Sequence, residues 1–423
     1  MFALADANNF YWSCEAVYQP RLTGRPGIVL SNNDGCAIAR SAEAKALGVP
    51  MGAPWFQLKD MAKQHGIIAL SSNYALYGSM SNRVTQVLRM YSPQIEVYSI
   101  DESFLQLDGL LGIWGSYDAL GRSLRTRVST WTGITVGVGI GPTKTLAKLA
   151  NHLAKKRPEF DGVCDLTLLS KPERRAYYAS MDVGDVWGVG HRTAEKLHAL
   201  GIDTVDALRM TPPPYLRQHF GVVMERTGSE LRGISCLELE EIAPLKKQIV
   251  SSRAFGVLVT EYDDLQEAVS TYATRASEKL RGEGSVCNGV HVFVETNRFR
   301  EQDDQYNNGM NVTLSEPTND VRRITAAAIY GLKRIYKPGY LYKKAGVMLL
   351  NLGHANNRQM SLLNPPDPKS EKVMQVLDAL NGRFGRNTMQ LASSGIEQPW
   401  STLFEHRTPR YTTRWDELPT AIA

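Results

Sequence analysis

Apolar runs with a two-residue rhythm alternate with helical periods along most of this chain. Phe2-Ala-Leu-Ala ahead of Asp6 reads as a strand over Phe2–Ala7, followed by a helical turn carrying Phe10, Tyr11 and Cys14. Ile28-Val-Leu is strand-like, and helical stretches at Ala39–Leu47 and Gln57–His65 are closed by Gly48 and Gly66. Tyr77–Tyr91 is amphipathic, with Met80, Val84, Val87 and Leu88 recurring at helical spacing. A strand pair over Ile95–Leu107, a helix over Leu120–Trp131, a strand over Ile134–Ile140 and a helix opening at Thr143 complete the segment. Strands and helices in this alternation predict an α/β or α+β unit. Val183–Leu208 is different, made of short helices around Trp187-Gly-Val-Gly190 and Leu200-Gly-Ile202, with Pro212-Pro-Pro214 behind it.

After a linker at Glu240–Lys247 a second regular unit begins. Ile249–Val259, Val286–Glu295, Asn307–Leu314 and Ala345–Leu352 are strand-like, and Leu265–Arg281 and Val321–Tyr336 are helical. The order β-α-β-β-α-β predicts one sheet with both helices on one face. Asn364-Pro-Pro-Asp-Pro368 marks another linker, followed by one helix over Lys372–Leu380 and a polar tail. The chain shows neither internal repeats nor low-complexity tracts.

Composition narrows the picture only modestly. With 423 residues the chain exceeds one hydrophobic core, and about three domains are expected. It lacks an apolar run of membrane-spanning length and a secretory signal pattern at its start. The five cysteines are scattered, with no CxxC pair, which fits a reducing cytoplasm better than a disulfide framework or a zinc site. Net charge is +5 while residues 1–110 carry −1, a weak hint of a polyanionic partner.

The candidate chemistry lies in two acidic strings, Phe2-Ala-Leu-Ala-Asp6-Ala-Asn and Tyr98-Ser-Ile-Asp101-Glu102. Each is a strand whose last positions turn acidic. Three carboxylates gathered at strand ends can hold two hard divalent cations, and without cations they would repel one another. Taken singly, each string is also what ordinary surface acids at a strand end look like. Gly137-Val-Gly-Ile-Gly141-Pro-Thr-Lys144 reads as strand, glycine turn and helix with a lysine at its mouth, a phosphate-site arrangement. It matches neither a P-loop nor a dinucleotide fingerprint. Alone it is more simply a tight turn with a surface lysine, and Lys144, Lys148, Lys155, Lys156 and Arg157 read as a solvated helix face. Trp187-Gly-Val-Gly190-His-Arg-Thr resembles a helix-hairpin-helix, whose glycines let backbone amides approach DNA phosphates.

The two acidic strings in this order, with Phe10-Tyr11 after the first, resemble the catalytic core of Y-family DNA polymerases. Leu30-Ser-Asn-Asn-Asp-Gly35, Ala42-Glu-Ala-Lys-Ala-Leu-Gly48, Ser71-Ser-Asn-Tyr74 and Thr143-Lys-Thr-Leu-Ala-Lys-Leu-Ala-Asn151 are similar to one bacterial branch, chromosomal and plasmid-borne, that supplies the catalytic subunit for SOS mutagenesis. The resemblance runs from Met1 into Thr408-Pro-Arg-Tyr-Thr-Thr-Arg414. It implies an α+β multidomain right hand: palm at 1–12 and 68–165, fingers at 13–67, and a helix-hairpin-helix thumb at 166–239. A linker at 240–248, a β-α-β-β-α-β little finger at 249–352 and a tail at 353–423 would follow.

The implied activity is error-prone translesion synthesis on primed DNA with dNTP. Asp6, Asp101 and Glu102, with the Ala7 carbonyl, would hold two Mg2+ ions. Tyr11 would be the steric gate against ribose, and Lys144 would meet the triphosphate. Where many relatives have a Tyr and an Arg gripping phosphates, this chain has Ala42 and Lys45; Lys45 keeps the charge but not the bidentate geometry. Gly188 and Gly190, then Lys246, Lys247, Arg253, Lys279 and Arg281, would touch the DNA backbone. Gln359-Met-Ser-Leu-Leu363 looks like a bacterial sliding-clamp pentapeptide, with Gln359, Leu362 and Leu363 entering the clamp. The tail would engage a UmuD′-like dimer and RecA, and no membrane is implied. Two other readings stand beside this one: a catalytically silent DNA- and clamp-binding scaffold, and a nucleotidyl cyclase sharing the palm and its metals.

Overall fold

The computed structural model describes residues 1–240, 246–357 and 368–418. The chain divides into two compact units. One comprises Met1–Ser31, Gly35–Ala243 and His406–Ala423; the other comprises Asn32–Asp34 and Pro244–Glu405.

The first unit contains strands β1 (Phe2–Ala7), β2 (Gly27–Leu30), β3 (Ala37–Arg40), β4 (Ile68–Ser71), β5 (Ile95–Val97), β6 (Glu102–Gln106), β7 (Val136–Gly141) and β8 (Val163–Asp165). The main sheet runs β5-β6-β1-β7-β8. β1 is antiparallel to both β6 and β7, while β7 and β8 are parallel. Being central, β1 and β7 are buried on both faces, which is why they are short, small-residue or β-branched runs.

On one face, Ala3, Ala5, Leu105, Val138 and Ile140 share a core with Leu76, Tyr77 and Met80 of the helix Tyr74–Leu88 and with Leu120, Leu124 and Val128 of the helix Tyr117–Thr132. On the other, Phe2, Leu4 and Phe104 meet Ala147 of the helix Lys144–Lys156. Leu4 and Phe104 are fully buried, each contributing about 2 kcal/mol relative to exposure. That helix lies unusually close to β7. A Cβ on Gly139 would come within 2.0 Å of the Asn151 amide nitrogen and 2.3 Å of the Ala147 carbonyl. The glycines of Gly137–Gly141 are therefore strand residues under a helix. This corrects the reading of that string as a phosphate-binding glycine turn.

A small sheet in the order β3-β2-β4 carries the helices Ala42–Ala46 and Trp55–His65 over Ile28, Leu30, Ala44, Val49 and Leu58. The helix expected over Ala39–Leu47 is shorter because Ser41 caps it, its hydroxyl accepting from the Ala44 amide at 3.1 Å, and β3 precedes it. Five helices follow β8: Lys171–Ala179, His191–Ala199, Val205–Met210, Pro213–Phe220 and Val222–Leu231, around a core that includes Met181, Val183, Leu197, Leu208 and Leu216.

The second unit has β9 (Ile249–Val259), the helix Tyr262–Gly282, β10 (Ser285–Thr296), β11 (Asn307–Thr318), the helix Val321–Ile335 and β12 (Tyr342–His354). This is the expected β-α-β-β-α-β order. Its sheet, β11-β10-β12-β9, is antiparallel throughout, and Leu265, Val269, Ala273, Ile324, Ala328 and Leu332 of the two helices fill the core against Val290, Val292, Val347 and Leu349. The later helix runs Pro368–Phe384, longer than the expected Lys372–Leu380, with Met374 and Leu377 buried against Val321. Among the described residues, no helix is long and apolar enough to cross a membrane.

Candidate active site

Strand pairing brings the two acidic strings together. Asp6 lies directly opposite Glu102 across β1 and β6, and the Ala7 amide donates to the Asp101 carbonyl at 2.8 Å. Asp6, Ala7 and Asp101 line a cavity of about 330 Å³ whose other walls include Asn9, Tyr11, Arg40, Lys45 and Lys155. The carboxylates are held by lysines. Lys155 Nζ is 2.7 Å from Asp6, and Lys148 Nζ is 3.0 Å from Glu102. Ser99 Oγ donates to Asp101 Oδ1 at 2.6 Å. Burial pushes the Asp6 and Glu102 carboxyls up; Lys155 and Lys148 respectively pull them back, and the neighbouring Asp101 adds to the rise. With Glu102 turned onto Lys148, no three acid, histidine or cysteine side chains among the described residues stand together as a metal-binding group.

The helix Lys144–Lys156 supplies this order. Lys144, Lys148, Asn151 and Lys155 follow a four-three-four spacing, one stripe of an α-helix. The stripe crosses the sheet strand by strand. Lys144 pairs with Glu96 on β5, Lys148 with Glu102 on β6 and Lys155 with Asp6 on β1, while Asn151 Nδ2 donates to the Gly137 carbonyl on β7 at 2.8 Å. The expectation of a solvated basic face is thus corrected for Lys144, Lys148 and Lys155. Lys144 is also not at the cavity. It is buried, ion-paired to Glu96 and seated over the Phe104 ring at 5.2 Å, so the expected triphosphate contact does not hold for it. Lys155, from the same stripe, is the lysine that lines the cavity.

Tyr11 lines the cavity with its ring stacked on buried Tyr77 (centroids 4.5 Å apart, 15° between planes) and edge-on to Tyr74. Tyr77 is fixed in turn by donating its hydroxyl to buried Glu15 at 2.7 Å. Lys45 Nζ donates to Asn9 Oδ1 at 2.5 Å; burial, then Arg40 and Lys155, lower its pKa. Arg40 donates to the Val49 carbonyl at 2.6 Å while its Nε finds no partner among the described residues. Ala42 is exposed and absent from the cavity wall. Sequence reading missed Asn9, Arg40 and Lys155, of which only the basic period around Lys155 left a signal.

In the helix-hairpin-helix segment, Gly188 has a left-handed φ of +87°, and Gly190 caps the helix His191–Ala199 without a side chain. A Cβ at either would meet nothing within 4 Å, so both backbones are approachable. Trp187 anchors the turn, its Nε1 donating to the Tyr98 hydroxyl at 3.2 Å and its ring tilted on Phe104. In the second unit, Lys246 is ion-paired to Glu283 and Lys247 is exposed. Arg253 is exposed and shares a concave wall with Arg275, Lys279 and Arg386. Arg281 is not a free phosphate contact, being nearly buried and bonded through two nitrogens to Asp378 at 2.7 Å each. Gln359, Leu362 and Leu363 lie outside the described residues.

Solved structures that share this fold include Y-family DNA polymerases. A Y-family DNA polymerase chimera built on Dbh aligns with TM-score 0.66 at 20% identity, over 84% of this chain and 100% of that one. DinB from Sulfolobus solfataricus aligns with TM-score 0.52 at 20% identity, over 83% and 99%. The fold is the Y-family right hand. Sequence comparison then narrows the class. The impB/mucB/samB family model matches residues 5–152 and its C-terminal domain 246–362, with the family's HHH motif at 177–202 and a domain of unknown function at 371–421. Protein UmuC of Salmonella typhimurium is 48% identical over 99% of both chains, and Protein MucB of Escherichia coli is 42% identical over 100% of this chain and 99% of that one. DNA polymerase IV of Pelotomaculum thermopropionicum is 27% identical over 92% and 94%. The chain belongs to the impB/mucB/samB family, a UmuC-like DNA-directed DNA polymerase of the Y family.

Proposed function

We propose that this polymerase copies damaged template by two-metal-ion nucleotidyl transfer, as the catalytic subunit in SOS mutagenesis. The carrying observation is the register of Asp6 opposite Glu102, with Asp101 beside them, at a cavity bearing Arg40, Lys45 and Lys155. The donor set suits magnesium: three carboxylates and the Ala7 carbonyl are hard oxygens on adjacent backbone positions. A divalent ion on these carboxylates would displace the Lys155 and Lys148 ammonium groups now paired with Asp6 and Glu102. When bound, two Mg2+ ions supply Lewis-acid chemistry, easing attack by the primer 3′ hydroxyl and neutralising charge on the triphosphate.

The chain's own residues do the rest. Asp6, Asp101 and Glu102 would hold the ions. Lys155, released from Asp6, joins Lys45 and Arg40 in orienting the phosphates, so that pyrophosphate leaves against fixed positive charge. Tyr11, rigid between Tyr77 and Tyr74, closes the space a ribose 2′ hydroxyl would need. Gly188 and Gly190 offer backbone amides to the DNA backbone, and Lys246, Lys247 and Arg253 add positive charge along it. A UmuD′-like dimer, RecA and a sliding clamp are the proposed protein partners; the clamp contact rests on the Gln359–Leu363 sequence alone.

The test is primer extension by the purified chain with its accessory dimer. Extension should require divalent metal, and Asp101→Asn should lower it by more than about a hundredfold while DNA affinity is retained. Undiminished extension by that variant would refute the assignment.

A further inference from the structure

The helices Lys171–Ala179 and Val205–Met210 carry four basic residues, Lys171, Arg174, Arg175 and Arg209, against two acids, Glu173 and Asp206. The helix Lys171–Ala179 opens with a capping box in which Glu173 accepts from the Ser170 amide at 2.8 Å and from its hydroxyl at 2.6 Å, so this acid faces its own helix end. The next residues of the helix place Lys171, Arg174, Arg175 and Tyr178 at one-, four-, five- and eight-residue positions, a single face. Arg209 from the helix Val205–Met210 and Arg232 beyond the helix Val222–Leu231 close around that face. Together they line a cavity of about 390 Å³.

Among the described residues, Asp206 forms the ion pairs of this group, accepting from Arg175 at 3.2 Å and from Arg209 at 2.7 Å. Among the described residues, Lys171 and Arg174 make no ion pair, and Arg232 donates to a neutral acceptor, the Thr211 carbonyl. Tyr178 is 5% exposed, and its hydroxyl has no hydrogen-bond partner among the described residues. Burial and the neighbouring Arg209 hold the Arg232 guanidinium below its ordinary range. Lys171, Arg174 and Arg232 thus converge on one concave space with no ion-pair partner among the described residues, and an anion entering it would supply one. Guanidinium forks match phosphoryl oxygens in pairs.

We infer that this cavity is a binding site for a compact polyphosphate anion, separate from the cavity at Asp6 and Asp101. Its shape favours a small, highly charged group over a nucleic-acid backbone. Backbone sites run as grooves along which charges are strung, whereas here five cations surround one pocket.

The experiment titrates the full chain with pyrophosphate in chelator, so that metal-dependent binding is silent. The paired substitution Lys171→Glu with Arg174→Glu should weaken binding by at least about tenfold, since each charge-assisted contact is worth roughly that factor. Lys155→Ala, at the other cavity, should leave this binding in place. Binding lost in Lys155→Ala and kept in the paired variant would overturn the inference, as would no binding at all. A paired variant that loses affinity for a single-stranded oligonucleotide while holding pyrophosphate unchanged would also overturn it, assigning the cations to the DNA backbone. Should the paired variant fail to fold by circular dichroism, Arg174→Gln carries the same test: weaker pyrophosphate binding supports the site and unaltered binding refutes it.

Discussion

Lys144 and Lys155 stand three turns apart on one helical stripe, yet their surroundings give them different work. Lys144 lies under the sheet with Glu96, whose carboxylate also accepts the Glu240 amide at 2.7 Å. Truncating Lys144 would leave that buried carboxylate without its cation. Lys144→Ala is therefore expected to destabilise the fold by about 3 kcal/mol. Lys155 is partly open at the cavity, and its removal frees Asp6 without burying a new charge. Lys155→Ala should leave the melting temperature nearly unchanged and raise KM for dNTP by about tenfold, the loss of one charge-assisted contact. Thermal melting and steady-state kinetics separate the two variants. The reverse pattern, with KM moved by Lys144→Ala and stability by Lys155→Ala, would return the phosphate contact to Lys144. Sequence could list both lysines but not choose between them. The period puts both on the same face, and only the tilt of the helix across β5, β6 and β1 decides which one is covered.

Among elements, those whose pattern answers to one layer were legible. The strands bearing Asp6 and Glu102 and the β-α-β-β-α-β unit follow from alternation and length. Elements shaped by close approach were not. Gly137, Gly139 and Gly141 look like turn residues because glycine marks both a turn and a helix lying tightly on a strand. The Ala39–Leu47 stretch hid a strand and a short helix behind one apolar period, and Ser41 was the missed boundary. In the helix-hairpin-helix segment a further device emerges at His198, whose Nδ1 is 2.9 Å from Asp203 and Nε2 3.3 Å from Asp182. These carboxylates tie the helix His191–Ala199 to the turns flanking it, where the Val183 amide donates to the Asp203 carbonyl at 2.9 Å. The Asp203 hydrogen bond, reinforced by Asp182, raises the His198 pKa above its ordinary value. A raised folded pKa means that the bridge is fully formed below about pH 6.5 and is lost as pH rises through the higher folded value. Amide exchange around 197–205 should accelerate, beyond its intrinsic pH dependence, as pH rises above about 6.5. His198→Gln should remove that extra acceleration. If the wild type shows only the intrinsic dependence, the bridge does not contribute.

At the scale of the whole molecule, the first unit is closed by chain from its far end. Ser71 on β4 donates its amide to the His406 carbonyl at 3.1 Å and accepts the His406 amide on Oγ at 2.9 Å. Buried Asn73 accepts the Leu76 amide on Oδ1, capping the helix Tyr74–Leu88, while its Nδ2 reaches Thr408 Oγ1 and the Thr408 and Pro409 carbonyls at 3.0–3.1 Å. Tyr411 then stacks on Tyr18 with centroids 5.1 Å apart, and Arg410 pairs with Glu417. One side chain thus starts a core helix with its oxygen and holds the tail with its nitrogen. The two functions can be parted. Asn73→Ala loses both, and the cap plus the tail bonds should cost about 2–3 kcal/mol. Asn73→Asp keeps the capping oxygen but replaces the donor with an acceptor facing two carbonyls. It should therefore spare the helix and release the tail. Limited trypsin digestion reads the tail directly, through cleavage at Arg407, Arg410 and Arg414, while circular dichroism reads the helix. Faster cleavage in Asn73→Asp with unchanged helical signal is the expected result. If the tail stays as resistant as in the wild type, the Ser71 bonds and the Tyr18 stack anchor it without Asn73.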